Sequence, residues 1–286
     1  MSQIDNTWFS EVMAADGSAF SLKIKRKLHE EQTQYQFLEV YETETFGNLM
    51  VLDGSNMVTS RENFLYHEML SHVPLFTHPN PKRVAIIGGG DCGTLREVLK
   101  HKSVEEVFQI DIDEAVTRAS EKYFPELCES NNDPRAKLMW IDGIKWIQDA
   151  PKGSLDVIIV DSTDPVGPAV GLFAEDFYKA CFDALGDDGV LVGQSESPLF
   201  HTASIIKQMY VDLRSAGFIE VNTFPFPQPI YPTGWWSCTV AIKSGAMQNF
   251  REQDARNAGF ETLYYTPDLH KGALVMPPFM QKILKG

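Results

Sequence analysis

The segment Arg83–Lys100, RVAIIGGGDCGTLREVLK, joins an apolar strand to a helix through a glycine-rich turn. Its first part, RVAII, is typical of a buried strand, and its last part, TLREVLK, is rich in good helix formers. Gly88, Gly90 and Gly93 fit the pattern G-x-G-x-x-G, which indicates a site for a dinucleotide, a nucleoside or S-adenosylmethionine. The pattern alone does not choose among these ligands.

An acidic residue, Asp91, stands inside this loop where the turn passes into the helix. Helix N-termini carry a partial positive charge and usually receive anions. One interpretation is that Asp91 caps the helix by accepting from free backbone N–H groups. The other is that the loop meets a cation, because a carboxylate repels an anionic ligand group and attracts an ammonium group.

The whole-chain composition favours a globular protein that acts on small cationic molecules. The chain has 286 residues, of which 43% are hydrophobic and 22% charged, and its formal net charge is −14. Such a charge makes nucleic acid and anionic membranes poor partners. The N-terminal sequence does not read as a signal peptide, and no apolar run approaches the ~20 residues that span a bilayer. We therefore expect a cytoplasmic protein.

The four cysteines are widely scattered, with no C-x-x-C spacing and no neighbouring histidine cluster. This pattern predicts reduced thiols of a cytosolic protein, without a disulfide frame or a metal site. Only Cys92, which lies in the glycine loop, is expected to reach a ligand.

Two regions with different periodicity follow each other along the chain. Residues 18–58 alternate in the manner of strands and predict a small antiparallel sheet, so that residues 1–60 form an N-terminal β domain. A helix from about Arg61 to Phe76 lies in a linker of residues 61–81. From residue 82 to 286 short apolar strands alternate with helices, which predicts a doubly wound, mostly parallel α/β sheet of the Rossmann type.

Carboxylates follow several of the predicted parallel strands, at the sheet edge where ligands bind in such folds. Asp111 ends the second strand, where an acid accepts hydrogen bonds from ribose, and Asp113 is expected to cap the next helix. Asp142 and Gly143 end the third strand. They have two equal interpretations, contact with an adenine amine or an N-cap turn.

The fourth strand, LDVIIV, leads directly into Asp161-Ser162-Thr163-Asp164-Pro165. Two carboxylates held close together raise each other's pKa unless a cation is bound. An Asx turn stiffened by the proline is the structural alternative. With Asp91 on the neighbouring loop, three acids converge without a basic residue in these motifs to balance them, which predicts a polycationic ligand.

Six segments in this order and spacing resemble the spermidine synthases, over roughly Tyr35 to Pro277: FGNLMVLDG, YHEMLSHVPL, VAIIGGGDCGTLREV, IDID, VDSTDPVGPA and YPTGWW. The resemblance implies transfer of an aminopropyl group from decarboxylated S-adenosylmethionine, a co-substrate, to putrescine. Methylthioadenosine and a proton are the other products. It also implies a methyltransferase-like Rossmann domain after a β-hairpin domain, no prosthetic group, and assembly as a homodimer or homotetramer.

The resemblance further implies roles for individual residues. The donor nucleoside would be held by Gln36, Gly88, Asp111, Asp142 and Gly143, with Pro168 on a loop that covers it. Asp91 would take the ammonium group of the donor, with His67 beside it. Asp161 would accept the proton, and the amine would lie against Asp161, Asp164, Tyr231, Tyr66, His67 and Asp91. Glu68, next to His67, is expected to line the amine channel.

Electrostatics favours this assignment. S-adenosylmethionine carries a carboxylate that its decarboxylated form lacks, and one like-charge contact with Asp91 costs about 4 kcal/mol at 4 Å and an effective dielectric of 20. The nearest rival, a methyltransferase, needs no acidic channel. A nicotinamide dehydrogenase leaves the DSTD turn unexplained, and a catalytically silent polyamine-binding module needs no Asp161. Cadaverine, agmatine and spermidine stay open as alternative acceptors.

Overall fold

A small antiparallel sheet opens the chain in the computed structural model, which describes residues 4–164 and 167–284. Its five strands are hydrogen-bonded in chain order: β1 (Trp8–Met13), β2 (Ser18–Gln32), β3 (Phe37–Thr43), β4 (Asn48–Leu52) and β5 (Ser55–Thr59). Strand β1 lies outside the segment 18–58 in which alternation predicts strands.

The second sheet has seven strands in the order β11-β12-β10-β9-β6-β7-β8. Strands β6 to β10 run parallel, whereas β12 is antiparallel to both of its neighbours. The strands are β6 (Arg83–Gly88), β7 (Glu106–Asp111), β8 (Ala136–Trp140), β9 (Leu155–Asp161), β10 (Leu185–Gln194), β11 (Glu220–Pro227) and β12 (Trp235–Ile242). The predicted fold class is therefore confirmed. The domain boundaries at residues 60 and 81 stay a prediction.

Helices cover both faces of the large sheet, so its central strands are buried on both sides. Strands β6 and β9 read as continuous apolar runs for this reason, and Val84, Ile86, Val157 and Ile159 are fully buried. The helices are α1 (Asn63–Thr77), α2 (Gly93–Leu99), α3 (Glu114–Tyr123), α4 (Gly143–Asp149), α5 (Glu175–Ala184), α6 (Pro198–His201), α7 (Lys207–Ala216), α8 (Glu252–Arg256), α9 (Pro267–Ala273) and α10 (Pro278–Leu284).

The two sheets share a core. Leu38 and Val40 of β3 pack with Val116 and Ala119 of α3 and with Phe124, all nearly or fully buried. Helix α1 follows β5 almost directly, and it packs against α2. The small sheet is thus fixed beside the carboxyl ends of β6 and β7. Among the described residues, no helix is long and apolar enough to cross a bilayer.

Candidate active site

The site lies where the strand order of the large sheet reverses, between the adjacent strands β6 and β9, as expected for ligand sites of doubly wound sheets. Gly88, at the end of β6, is in register with Asp161 at the end of β9. Its φ is +86°, and a Cβ atom there would lie 2.1 Å from the Asp161 carbonyl oxygen. Only glycine therefore lets the loop turn this close to β9.

Asp161 points its carboxylate into a buried cluster where two hydroxyl groups donate to it. Tyr66 Oη lies 2.8 Å from Oδ1, and Thr94 Oγ1 lies 2.6 Å from Oδ2. Burial raises the pKa of Asp161, and the neighbouring Asp91 carboxylate raises it further. A carboxylate in this state accepts a proton more readily than an ordinary aspartate.

Asp91 makes the capping contact that one interpretation of the sequence predicts, and its contact with a cationic ligand stays a prediction. Its Oδ1 accepts from the backbone N–H of Gly93, the first residue of α2, at 2.8 Å. Its Oδ2 lies 3.2 Å from Nε2 of His67 on α1. Burial opposes ionisation of Asp91, but the imidazole of His67 outweighs it and the pKa of Asp91 is lowered. The Asp91 carboxylate likewise overcomes burial at His67 and raises the pKa of the imidazole.

His67, Asp91 and Asp161 form one cluster, with one potential ligand atom from each within 4.8 Å of the others. Their spacing is compatible with a bound cation. The sequence predicts no metal site, and that stays a prediction. A cationic group of a substrate has the same charge complementarity.

The predicted nucleoside residues lie next to this cluster. Burial raises the pKa of Asp111 to about 6, although its Oδ1 accepts from the Asp113 backbone N–H at 2.8 Å. Gln36 of the small sheet donates to Asp113 Oδ2 at 3.0 Å, and Thr33 donates to the same oxygen at 2.7 Å. Asp113 also caps α3 as predicted, through Ala115 N–H. Asp113 thus joins the small sheet to the start of α3 beside the large one.

Asp142 and Gly143 both have structural tasks in the protein. Asp142 caps α4, with Oδ1 accepting from the N–H groups of Ile144 and Lys145. A Cβ atom on Gly143 would meet the Ile87 side chain at 2.6 Å, so the residue allows α4 to approach β6. Within residues 4–164 and 167–284, these two contacts use Oδ1 of Asp142 and none uses its Oδ2. Pro168 belongs to a 3-10 helix, Gly167–Phe173, but its side chain falls outside the described part of the structure.

A cleft of about 350 Å³ opens beside Asp161, between the two sheets; its walls include Tyr66, Asp164, Gln194, Tyr231, Trp236 and Glu11. The Tyr66 and Tyr231 rings meet at 5.9 Å in an edge-to-face arrangement, and Tyr231 Oη donates to the Met57 carbonyl. Tyr66, Asp164 and Tyr231 therefore line one cleft, and their contact with the amine stays a prediction.

Two acids of this region were not predicted. Burial, followed by the Asp164 charge, raises the pKa of Glu196 well above its ordinary value. Burial also raises the pKa of Glu11, whose Oε2 accepts from the Asn56 N–H at 3.1 Å. Glu196 follows β10 within two residues, so the strand-end rule that selected Asp161 applies to it. No local sequence signal identifies Glu11, because it is brought to this region by the contact of β1 with Asn56, a residue distant in the sequence.

Two expectations are wrong. Glu68 does not line the amine channel: its carboxylate accepts from the backbone N–H groups of Leu263, Tyr264 and Tyr265 at 2.7 to 2.9 Å. Adjacent helical side chains diverge by about 100°, so Glu68 and His67 face different neighbours. Cys92 is fully buried, with its thiol 3.6 Å from the Gly90 carbonyl, so its side chain is not accessible to a ligand. All four cysteines are free.

The fold and the site define a class: a doubly wound α/β protein with a cluster of acids at the carboxyl ends of its parallel strands. Residues 63–252 match the spermine/spermidine synthase domain, and residues 7–60 match the spermidine synthase tetramerisation domain. The chain therefore belongs to the spermine/spermidine synthase family, and it is an enzyme of the aminopropyltransferase type.

Full-length relatives agree with this assignment. The chain is 59% identical to a polyamine aminopropyltransferase of Thioalkalivibrio sulfidiphilus, over 99% of both chains. It is 57% identical to one of Alkalilimnicola ehrlichii, over 98% of both. A spermidine synthase solved with the transition state analogue AdoDATO superposes with a TM-score of 0.94 at 37% identity, covering 99% of this chain and 96% of that one. The spermidine synthase of Thermotoga maritima gives a TM-score of 0.91, also at 37% identity, over 97% and 94% of the two chains.

Proposed function

We propose that the enzyme transfers an aminopropyl group from decarboxylated S-adenosylmethionine to one amine of putrescine, giving spermidine and methylthioadenosine. The observation that carries the proposal is the half-buried pair Asp91 and Asp161, grouped with a single buried imidazole, His67. Two carboxylates in one cluster repel each other, so a cationic substrate that enters between them is stabilised. The solved relative that holds AdoDATO supports a ligand of this kind.

The donor is selected by charge. We place its nucleoside against Asp111 and the Gln36–Asp113 pair, with its aminopropyl ammonium facing Asp91. The 3.2 Å contact with His67 holds the Asp91 carboxylate ready for that contact. The carboxylate of intact S-adenosylmethionine would stand against Asp91, and this repulsion excludes it.

The chemistry needs alignment and one proton transfer. The acceptor nitrogen attacks the carbon next to the sulfonium sulfur, so a C–N bond forms as the C–S bond breaks and the electron pair stays on sulfur. A free alkyl amine has a pKa near 10.4, against about 3.9 for aspartate. Burial raises the pKa of Asp161, while burial and the adjacent sulfonium lower that of the amine. Asp161 then orients the amine, takes its proton and passes it to water.

The second ammonium group of the acceptor is placed at the other end of the cleft. Asp164 and Glu196 interact there, and Glu11 reaches towards Asp164 from the small sheet. Burial, followed by the Asp164 charge, raises the pKa of Glu196. An ammonium group favours the ionised form of Glu196. In this proposal Asp161 receives one amine of the diamine, and the acids around Asp164 receive the other.

A direct assay tests this function. The protein is incubated with decarboxylated S-adenosylmethionine and, separately, with putrescine, cadaverine, agmatine or spermidine, and methylthioadenosine release and product mass are measured. We expect the highest kcat/KM with putrescine and a product with the mass of spermidine. Absence of release with every amine, together with methyl transfer from intact S-adenosylmethionine, would overturn the proposal.

The role of Asp161 gives a second prediction. Asp161→Asn keeps the shape of the side chain but removes the proton acceptor, so kcat should fall by about 10²-fold to 10⁴-fold. Calorimetric binding of methylthioadenosine should stay near that of the wild type. Asp164→Asn, as a comparison, should act mainly by raising KM for putrescine. Turnover of Asp161→Asn near the wild-type rate would contradict this role.

We further propose that the chain forms a homo-oligomer, a dimer or a tetramer, through the small sheet. The match of residues 7–60 to a tetramerisation domain supports this, and Val12 on β1 is 68% exposed. Light scattering of the purified protein measures the mass in solution. A monomer at micromolar concentration would refute the proposal.

A further inference from the structure

Thr94 contacts Asp161 from a direction that the proposed mechanism does not use. It is the second residue of α2 and is fully buried. Its Oγ1 lies 2.6 Å from Oδ2 of Asp161, the shorter of the two hydroxyl contacts to that carboxylate. Because an ionised carboxylate only accepts, the hydroxyl proton of Thr94 is donated to Asp161.

The local geometry leaves this hydroxyl few competing acceptors. Threonine in a helix commonly donates to the carbonyl three or four residues back, which here would be Asp91 O or Gly90 O. The thiols of Cys128 and Cys92 lie 3.7 and 3.6 Å from these two oxygens. A threonine that only filled space in this core could be replaced by valine, which has the same shape. The hydrogen bond to Asp161 is what valine cannot supply.

We propose that Thr94 is a positioning residue for the reaction: its hydroxyl fixes the Asp161 carboxylate so that a free lone pair faces the acceptor amine. The inference rests on the proposed role of Asp161 as proton acceptor. It concerns a residue outside the substrate-binding set, since Thr94 acts only through Asp161.

The charge balance around Asp161 explains why such a donor matters. Burial and the nearby Asp91 favour the protonated form of Asp161, in which it cannot accept a proton, while His67, then Thr94 and Tyr66, favour the ionised form. Loss of the Thr94 hydroxyl removes one of only a few stabilising contacts. The titratable groups that influence Asp161 are Tyr66 and His67 on α1, Asp91 in the glycine loop, Asp111 at the end of β7, and Tyr231 after β11.

The test is the pH profile of kcat/KM for putrescine in Thr94→Val and Thr94→Ser. Without the hydroxyl the pKa of Asp161 rises, so the ionised fraction falls at a given acidic pH and the acid limb moves to higher pH. For Thr94→Val we expect the acid limb to lie about one pH unit higher than in the wild type, so that kcat/KM at a pH on the limb falls about tenfold. Towards alkaline pH, kcat/KM should recover. Thr94→Ser retains the hydroxyl donor, so the acid limb of this variant should coincide with that of the wild type.

Structural damage alone would give a different result. A partly unfolded variant loses rate at every pH, but its acid limb does not move. Thr94→Ala provides a second variant without the hydroxyl, and thermal unfolding of all three variants reports their stability. If the acid limbs of Thr94→Val and Thr94→Ala coincide with that of the wild type, the proposal for Thr94 is overturned. An active Asp161→Asn would instead overturn the proposed role of Asp161, so the two failures are distinguishable.

Discussion

At the scale of single residues, the glycine loop brings a backbone and an imidazole into close contact. A Cβ atom built on Gly93 would lie 2.2 to 2.6 Å from three atoms of the His67 ring. The same residue donates its N–H to Asp91, which in turn contacts His67. Gly93 therefore sets the distance between the first turn of α2 and the acid that we place against the donor.

Gly93→Ala should accordingly move His67. The ring is buried and cannot shift freely, so we expect a loss of about 1–3 kcal/mol in stability from overpacking, together with weaker donor binding. Thermal unfolding and the donor KM measure the two effects. Gly272→Ala is the matched control, because a Cβ atom there meets nothing within 4 Å. Equal behaviour of the two variants would contradict this account of Gly93.

The residues that could be predicted from the sequence are those whose position follows from a strand end. Asp111, Asp142 and Asp161 each follow or end an apolar run, so a parallel sheet brings them to one edge. Thr94 and Glu11 could not be predicted in this way. The contact of Thr94 depends on the rotation of α2 about its axis, and that of Glu11 on how the small sheet packs.

At the scale of elements, helix α1 connects the site to the C-terminal segment. Its residues Tyr66 and His67 face Asp161 and Asp91, whereas Glu68 binds three consecutive backbone N–H groups of residues 263–265. Local sequence predicts the helix but not which neighbour each face contacts. The short helices α8 to α10 were also not predicted, since each is seven residues or fewer and carries little periodic signal.

Glu68→Gln should destabilise the protein without changing amine recognition. The amide keeps one acceptor oxygen and presents an NH₂ group to buried N–H donors, and each lost hydrogen bond to a charged group is worth about 1.5–3 kcal/mol. Denaturant unfolding should show a lower free energy of unfolding for Glu68→Gln. The substitution Glu129→Gln, at an exposed residue, should not lower it. A raised KM for putrescine at unchanged stability would instead return Glu68 to the amine channel.

The start of α1 carries a buried acid, Glu62, whose Oε2 accepts from the Thr59 hydroxyl. Burial raises the pKa of Glu62 from 4.5 to about 7. A carboxyl group whose pKa is higher in the folded state stabilises the fold fully below pH 4.5, and this contribution is lost as the pH rises through 7. The difference between the two pKa values corresponds to at most about 3 kcal/mol.

Glu62→Gln, which stays neutral at every pH, should therefore lose this pH dependence. We expect the Tm of the variant relative to the wild type to be higher at pH 8 than at pH 5. Differential scanning calorimetry at pH 5 and at pH 8 measures this difference in Tm, again with Glu129→Gln as the control. A constant difference in Tm between the two pH values would show that Glu62 is ionised throughout.

At the scale of the whole molecule, the periodicity of the sequence predicted both sheets and their order along the chain. It did not predict how they meet, because the shared core of β3, α3 and the following turn forms only in three dimensions. That junction places Gln36 and Glu11 of the small sheet beside the acids of the large one. The complete site therefore requires both parts of the chain.

At this scale we infer that the site recognises its donor by the absence of a carboxylate, through Asp91. Calorimetric titration of wild type and Asp91→Asn with decarboxylated and intact S-adenosylmethionine tests this inference. A like-charge contact of about 4 kcal/mol predicts a preference on the order of a thousandfold for the decarboxylated form in the wild type. Asp91→Asn should lose most of that preference. Equal binding of the two donors to the wild type, or an unchanged preference in Asp91→Asn, would contradict the claim.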